Sequence, residues 1–583
     1  MRESQQSRSM RESAQESAMF GRNSFQGCIF QTRRSLVDSV KAYFSHTEYR
    51  PSQQQIEKDR YILFGRVLYK DWMVIPAGVA IQFCYGSLYA WSIFNAPINK
   101  LLGNGVNKTG AENTFYITLG ILGFTGALFG PWIESHHPRK SGTIGIALFF
   151  AGHLTAALAL FVRMMSLLYF GYGVIGGIGL GVGYVSTVEA VSKWWPKARG
   201  AASGSAVMGF GGGALAFSYI NKALVDYTSL PKAFVILGSA TFIVMLFCLQ
   251  FIAPPPPDHN INGIIMTESS GRPHFDIPPV QMPLGEVLRS RDFWLLYISF
   301  IANIVFCLVI LSNLPNMINR LFGKDSKEGK ESPLPAHIAV SIESGFNMLG
   351  RVLIGSVSDK VGRKSTFLVL LLTQVAVLIC VPITIHTGNF WGFLVLVWLA
   401  TLCYGGGFGM IPAFLSDMFG ISNMSSCHGV ILTGWSITSI SGGLAFTNSI
   451  NAHINHGGKP YDTDIYFVNF MWMLALVVIG FVCCLFVRAS IRDRMFPALP
   501  GQIMRMRIFG RVFRIQWIYK AAHNEDLDYM LSSVENRRKH MRFGNEGRRL
   551  RWEYMKKEDE QIEWEEYLAL RAAQTQLMRE PAI

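Results

Sequence analysis

The chain has 583 residues, is 50% hydrophobic and only 16% charged, and carries a formal net charge of +14. Charges this sparse, gathered at the two ends and in a few loops, exclude an ordinary soluble globular protein, where about a quarter of residues are charged. The basic excess lies beside apolar runs, so membrane topology and anionic lipid explain it better than nucleic acid does. The nine cysteines lie mostly in or beside apolar runs with no CxxC or Cys/His spacing, which excludes a disulfide framework or a zinc site.

In chain order, residues 1–70 read as a polar, mostly disordered cytosolic tail; Glu3, Glu12, Glu16 and Asp38 argue against a transit peptide. Twelve apolar runs follow, near 72–94, 113–133, 142–162, 167–191, 199–220, 233–252, 292–315, 337–357, 365–385, 391–414, 427–447 and 465–487. Each is near the roughly 20 residues needed to cross a bilayer. In lipid such runs must be helices, because every backbone group needs a partner within the segment. A Pro-rich, polar linker, 253–290, divides six runs (71–252) from six (291–488), and a charged cytosolic tail, 489–583, ends the chain. The predicted fold is all-α: twelve transmembrane helices in two pseudo-symmetric six-helix halves.

Basic residues orient the spans. Arg139 and Lys140 follow span 2, Lys193 and Arg199 follow span 4, Lys360, Arg363 and Lys364 follow span 8, and Arg488, Arg492 and Arg494 follow span 12. Under alternating threading all lie on one side, which is then cytosolic together with both termini. The opposite-side loop 316–336 also carries lysines, interleaved with acids. In the last tail, residues 504–517 mix arginines with large apolar side chains and predict a helix lying on anionic lipid; residues 530–578 are densely charged and predict further helix.

The two halves echo each other. The hairpin Gly355-Ser-Val-Ser-Asp359-Lys-Val-Gly362-Arg363-Lys364 joins spans 8 and 9, and a degraded copy, Gly130-Pro-Trp-Ile-Glu134-Ser-His-His-Pro138-Arg139-Lys140, joins spans 2 and 3. The copies stand 225 positions apart (359 − 134). Such internal repeats are typical of transporters that rock one half against the other. Gly355 allows close helix contact and Gly362 a tight turn. Asp359 can pair with Arg363 or with a neighbouring helix N-terminus and so latch one side. The predicted gating residues are therefore Gly355, Asp359, Gly362 and Arg363, with Gly130, Glu134 and Arg139 in the first copy. The bland alternative is an ordinary positive-inside loop.

Arg351 lies within span 8, where a guanidinium is costly unless it faces water or an anion. Glu343, Asn347 and Arg351 are spaced i, i+4, i+8 and form one polar stripe. The functional reading is a carboxylate-binding arginine; the alternatives are a structural Arg–Glu pair or a snorkelling side chain. Gln82, Tyr85 and Tyr89 in span 1, Tyr184 in span 4, Tyr404 and Phe408 in span 10 and Trp435 in span 11 could enclose a small organic anion, or pack as core. Glu343 and Glu189 are candidate proton-coupling groups, although Glu189, four residues before Lys193, also reads as a salt bridge. The glycines of spans 4 and 5, including Gly209-Phe-Gly-Gly-Gly213, read as small-residue helix packing.

The strings Pro76-Ala-Gly-Val-Ala-Ile-Gln82, Gly86-Ser-Leu-Tyr-Ala-Trp91, Lys193-Trp-Trp-Pro196, Asn347-Met-Leu-Gly-Arg351 and Gly405-Gly-Gly-Phe-Gly409-Met-Ile-Pro-Ala413 resemble the major facilitator superfamily, and within it the oxalate/formate antiporter-like branch, over about 70–490. The resemblance implies exchange or uptake of small carboxylates without a cofactor, and an anion-binding arginine in span 8, matched by Arg351. The branch's oxalate exchanger looks to pair that arginine with a lysine in span 11; here Trp435 stands at or next to that place. One cation rather than two favours a monocarboxylate over oxalate. The expected function is secondary active transport by alternating access, as antiporter or proton symporter. The expected partners are a small organic anion, a proton or counter-anion and the lipid bilayer, with no nucleic acid. The chain is expected to be a monomer, not an enzyme, in a plasma or organelle membrane. The alternative is a membrane sensor that signals through its tails.

Overall fold

The structure, a computed structural model, describes residues 43–44, 49, 52–62, 67–102, 110–195, 198–255, 282–323, 326, 331–420, 424–459, 461–489, 493–494, 502–508, 511–518, 549–556, 559–567 and 569. The chain divides into two units, Met1–His46 and Thr47–Ile583, and the second carries all the spans. Most of the expected N-terminal tail and the centre of the expected linker lie outside the described residues.

Part of the segment expected to be unstructured is ordered. Helix α1, Gln53–Asp59, is capped by Ser52, whose side chain accepts from the Gln55 N–H at 3.3 Å. The two-residue strands β1 (Tyr61–Ile62) and β2 (Val67–Leu68) then pair antiparallel.

Eleven helices among the described residues are long and apolar enough to cross a membrane: span 1 Asp71–Ala90, span 2 Ala111–Glu134, span 3 Pro138–Phe161, span 4 Met165–Ser192, span 6 Leu230–Leu249, span 7 Arg291–Phe322, span 8 Ala336–Val361, span 9 Arg363–His386, span 10 Phe390–Phe419, span 11 Met424–Asn455 and span 12 Thr463–Phe486. The helix at the place of span 5, Arg199–Tyr227, has 29 residues. That length is ample; its glycines and serines, with Asn221, Lys222 and Asp226, lower its hydropathy. Three spans depart from α geometry in mid-course. Span 1 tightens to 3-10 over Gly86–Ala90 before a further helix, Ser92–Leu102, and spans 4 and 11 widen to π over Tyr169–Gly176 and Thr438–Gly442. Such irregularities collect at functional sites, and hydropathy alone does not reveal them.

The halves meet most extensively where span 5 packs on span 8 and span 2 on span 11. These are one pairing repeated under exchange of the halves. Glycine permits it: a Cβ at Gly355 would press on the Gly200 carbonyl, and one at Gly130 on the Ser426 backbone. Gly362 joins spans 8 and 9 with φ 100° and ψ 140°, a conformation side-chain-bearing residues avoid.

Beyond span 12 the structure corrects the sequence reading. The expected surface helix at 504–517 is instead an antiparallel sheet of β3 (Gln502–Ile508), β4 (Arg511–Ile518) and β5 (Arg549–Tyr554), in that order; of the expected helix over 530–578, residues 559–567 and 569 are helical and most of the rest lies outside the described residues. The period in Ile-Met-Arg-Met-Arg-Ile is close to two, which suits a strand, and Phe509-Gly510 lies between the two strands.

Candidate functional site: a buried arginine in a ring cage

Span 8 carries Arg351 to the centre of the interface between the halves, where its side chain is fully buried. Its Nε donates to Asn347 Oδ1 at 3.0 Å, one turn back on the same helix. Nη1 donates to the Val207 carbonyl of span 5 at 3.0 Å, and Nη2 to the Tyr89 hydroxyl of span 1 at 3.3 Å. Every one of these partners is neutral. Five N–H donors exceed these three acceptors, so donor capacity remains for a ligand.

Rings enclose the charge. The guanidinium carbon lies 5.1 Å from the Phe408 ring centre and 5.8 Å from that of Phe210. Tyr89 and Tyr404 share a hydrogen bond of 2.7 Å between their hydroxyls, joining the two halves across the site. Trp435 packs on Phe408 at 4.8 Å, on Phe210 at 5.8 Å and on Tyr184 at 6.4 Å. Asn347 Nδ2 and Trp435 Nε1 are buried without a hydrogen-bond partner in the protein. Two unpaired donors beside a cation make a site that favours an anion.

Not every candidate reaches this cage. Gln82 Nε2 donates to the Tyr184 carbonyl at 3.1 Å and so holds span 1 to span 4. Tyr85 packs on Phe149 at 5.2 Å and against Gly183, within the N-terminal half, and is not one of the rings around the guanidinium. Glu343 does not pair with Arg351, despite sharing its helix face: Oε1 accepts from Thr401 Oγ1 at 3.3 Å, and Oε2 is buried with no partner in the protein. Phe210 is the cage member that sequence reading assigned to packing. It stands alone among the glycines of span 5, and that isolation was the available signal.

At the charged end, Asp359 sits on the N-terminus of span 5, where its carboxylate accepts from the Gly200 and Ala201 N–H groups at 3.0 and 2.9 Å. Arg363 pairs with Asp359 at 2.6 Å and with Asp417 of span 10 at 3.0 Å. Asp417 also binds Arg199 of span 5 at 3.1 Å. It therefore completes a network across the halves that sequence reading missed. In the first copy, Glu134 accepts from Ser426 Oγ at 3.1 Å, at the start of span 11. Glu189 pairs with Lys193 at 2.6 Å and accepts from Ser425 Oγ, which places it in this closure and not in the cage. Arg139 departs from the expected latch. It pairs with Asp59 of α1 at 2.9 Å and donates to the Ile252 carbonyl at 2.9 Å. His137 meets the other Asp59 oxygen at 2.9 Å. The charge partner of this hairpin comes from the segment before span 1, which the repeat could not reveal.

The opposite end is closed by a hydroxyl and amide cluster, beside which the buried Glu112 accepts from Asn316 Nδ2 across the halves at 3.5 Å. The Tyr116 hydroxyl of span 2 hydrogen-bonds with Ser312 Oγ at 2.9 Å and Thr447 Oγ1 at 3.2 Å, and accepts from Asn313 Nδ2 at 3.0 Å. Asn95 Nδ2 donates to the Ser312 carbonyl at 3.4 Å. Sequence reading missed all these residues; adjacent Ser312 and Asn313 inside an apolar span were the signal.

A family profile described as Major Facilitator Superfamily matches residues 77–443. The uncharacterized MFS-type transporter YhjX of Escherichia coli K12 is 26% identical over 379 residues, covering 63% of this chain and 86% of that one. The oxalate:formate antiporter of Oxalobacter formigenes is 25% identical over 362 residues, covering 61% and 79%. Monocarboxylate transporter 9 of Rattus norvegicus is 24% identical over 184 residues, covering 31% and 35%. Among solved structures, the proton:xylose symporter XylE bound to 6-bromo-6-deoxy-D-glucose matches with a TM-score of 0.54 at 14% identity, covering 72% of this chain and 96% of that one. At that identity the likeness concerns the fold.

Proposed function

Since the chain belongs to the Major Facilitator Superfamily, we propose that it carries a small monocarboxylate across its membrane by alternating access to the cage around Arg351. It is an integral, multi-pass membrane protein of a transporter family, not an enzyme. The observation that carries the substrate class is the buried guanidinium whose protein partners are all neutral. A charge held this way is stabilised by an anion brought in from outside. Its fork fits one carboxylate, and the resemblance to the oxalate exchanger puts Trp435 at or next to the place of that protein's second cation, which favours a monocarboxylate. Two relatives, an oxalate:formate antiporter and a monocarboxylate transporter, agree with a carboxylate cargo.

In this mechanism the carboxylate displaces the Tyr89–Tyr404 hydroxyl bridge from Arg351 and is sealed in by Phe210, Phe408, Tyr184 and Trp435. The Asp359–Arg363–Asp417–Arg199 network closes the cytosolic side, as the positive-inside rule orients it, and the Tyr116 cluster closes the other. Glu343 is the proton-coupling group. It is a buried carboxyl without a cationic partner, two turns along the helix from the substrate arginine, so its charge cost makes it a proton carrier.

The test is uptake of labelled formate, acetate, lactate, pyruvate and oxalate by the purified full chain in proteoliposomes at two pH values. We expect saturable uptake of at least one monocarboxylate, exceeding that of oxalate and faster with an inward proton gradient. Glu343→Gln should retain binding and lose the gradient dependence. Saturable uptake of none of the five, or oxalate taken up preferentially, would overturn the substrate assignment.

A further inference from the structure

The sheet that follows span 12 has two unlike faces. Residues directly opposite one another across antiparallel strands share a face. Met504, Ile515 and Trp552 stand in one such row, and Met506, Phe513 and Tyr554 in the next, so one face is apolar and aromatic. On the other face Arg505, Arg514 and Glu553 form a row, and Arg507 stands opposite Val512.

The second face is covered. Arg507 bonds Asp493 at 3.0 Å and also Glu560; Arg514 bonds Glu553 at 3.0 Å and Glu563 at 3.2 Å. Val512 and Met555 are buried there. The apolar face is left open: Trp552 is 72% exposed and Tyr554 44%, while Met504, Met506, Phe513 and Ile515 are half-buried.

The sheet is rooted at the ends of the spans. Arg494 lies over the Phe419 ring at 4.4 Å and donates to the Met418 carbonyl at 2.7 Å, at the last turn of span 10. Arg488 pairs with Asp292, at the first turn of span 7, at 3.0 Å. Asp493, next to Arg494, grips Arg507 of β3. Of the four arginines in 502–518, Arg511 shares the open face, alternating with the covered Val512 and Arg514. Arg511 lies over Tyr554, 5.5 Å from its ring centre, at the margin of the open face.

We propose that this face lies on the lipid headgroups of the leaflet at the charged end, with Trp552 and Tyr554 in the interfacial layer and Arg511 on lipid phosphate. Trp and Tyr prefer that layer, and arginine binds phosphate through paired N–H groups. An uncovered apolar face this close to the span ends is buried with least rearrangement against the bilayer itself. The segment expected from sequence to bind lipid as a helix thus does so as a sheet.

The probe is p-benzoylphenylalanine at position 552, Trp552→p-benzoylphenylalanine, in the full chain reconstituted in nanodiscs of phosphatidylcholine with or without phosphatidylserine. After illumination, mass spectrometry should find a phospholipid adduct, with severalfold higher yield when phosphatidylserine is present. The same replacement at Gln516, on the covered face, should take up no lipid. Cross-links between two chains, cross-links only within one chain, or no adduct at all would each overturn the proposal. Equal lipid labelling at 552 and 516 would do so too.

Discussion

The two hairpins that reveal the internal repeat do the same steric work with different electrostatics. Gly355 and Gly130 each bring a helix of one half hard against a helix of the other. Asp359 and Glu134 each place a carboxylate at the start of the facing span. There the likeness ends. Asp359 binds two backbone N–H groups and Arg363, which reaches Asp417 and through it Arg199. The cation of the first hairpin, Arg139, is turned to Asp59 within its own half. Packing between halves therefore follows the repeat, and at the second copy the Asp417–Arg199 ion pair also crosses from one half to the other. A lock made of charges opens when one charge is removed; a lock made of glycine contact does not.

Four substitutions sharpen that contrast, in falling order of effect. Asp359→Asn strips a helix-terminal charge and half of the Arg363 pairing. Charged hydrogen bonds are worth about 1.5–3 kcal/mol each, so the closed state should lose on the order of tenfold to a hundredfold in population. Uptake should slow with little change in KM, and accessibility of a probe at the charged end should rise. An equal loss in binding would argue against a gate. Asp417→Asn removes an exchange between two arginines that is about one-third exposed. It should slow uptake severalfold, less than Asp359→Asn, because exposed pairs are weak. Glu134→Gln keeps an acceptor for Ser426 and should change uptake by less than about threefold. If it matched Asp359→Asn, the two hairpins would be electrostatically equivalent after all.

Asp59→Asn should barely alter uptake and should instead free α1, seen as faster hydrogen exchange over 53–59. Its pH dependence is specific. Burial raises the Asp59 carboxyl, but the His137 hydrogen bond and the His137 and Arg139 charges outweigh it, and the net value falls below the ordinary 3.8. A carboxyl depressed in the folded state contributes stability that is fully present above its unfolded value and is lost as pH falls through the folded one. Docking of α1 in the wild type should therefore persist to below the usual carboxylate range and then weaken, and the substitution should abolish that acid-dependent step.

Much of this was legible in the chain. Apolar length located the spans, the repeat pointed to the two hairpins at the charged end, and the cost of a guanidinium in lipid singled out Arg351. What stayed hidden depends on contacts between residues far apart in sequence. Asp59 gives no sign that Arg139 is its partner, and Asp417 looks like an ordinary helix-end acid. Tyr116, Ser312, Asn313 and Thr447 meet only when the halves close. Tyr85 and Tyr89 are one turn apart, yet only Tyr89 bonds the arginine, because the 3-10 stretch at Gly86–Ala90 begins between them. In the tail, alternating arginines look amphipathic at either period, and the pairing of β3 with β4 decides for a strand.

Arg351 offers the most direct measurement: saturable uptake of the best monocarboxylate by Arg351→Gln in proteoliposomes, alongside wild type and Arg351→Lys at matched protein density. We expect at least a hundredfold loss in the glutamine variant, with partial activity kept by lysine, which preserves the charge but not the fork. Uptake by Arg351→Gln equal to wild type would contradict the claim that a buried guanidinium receives the substrate carboxylate.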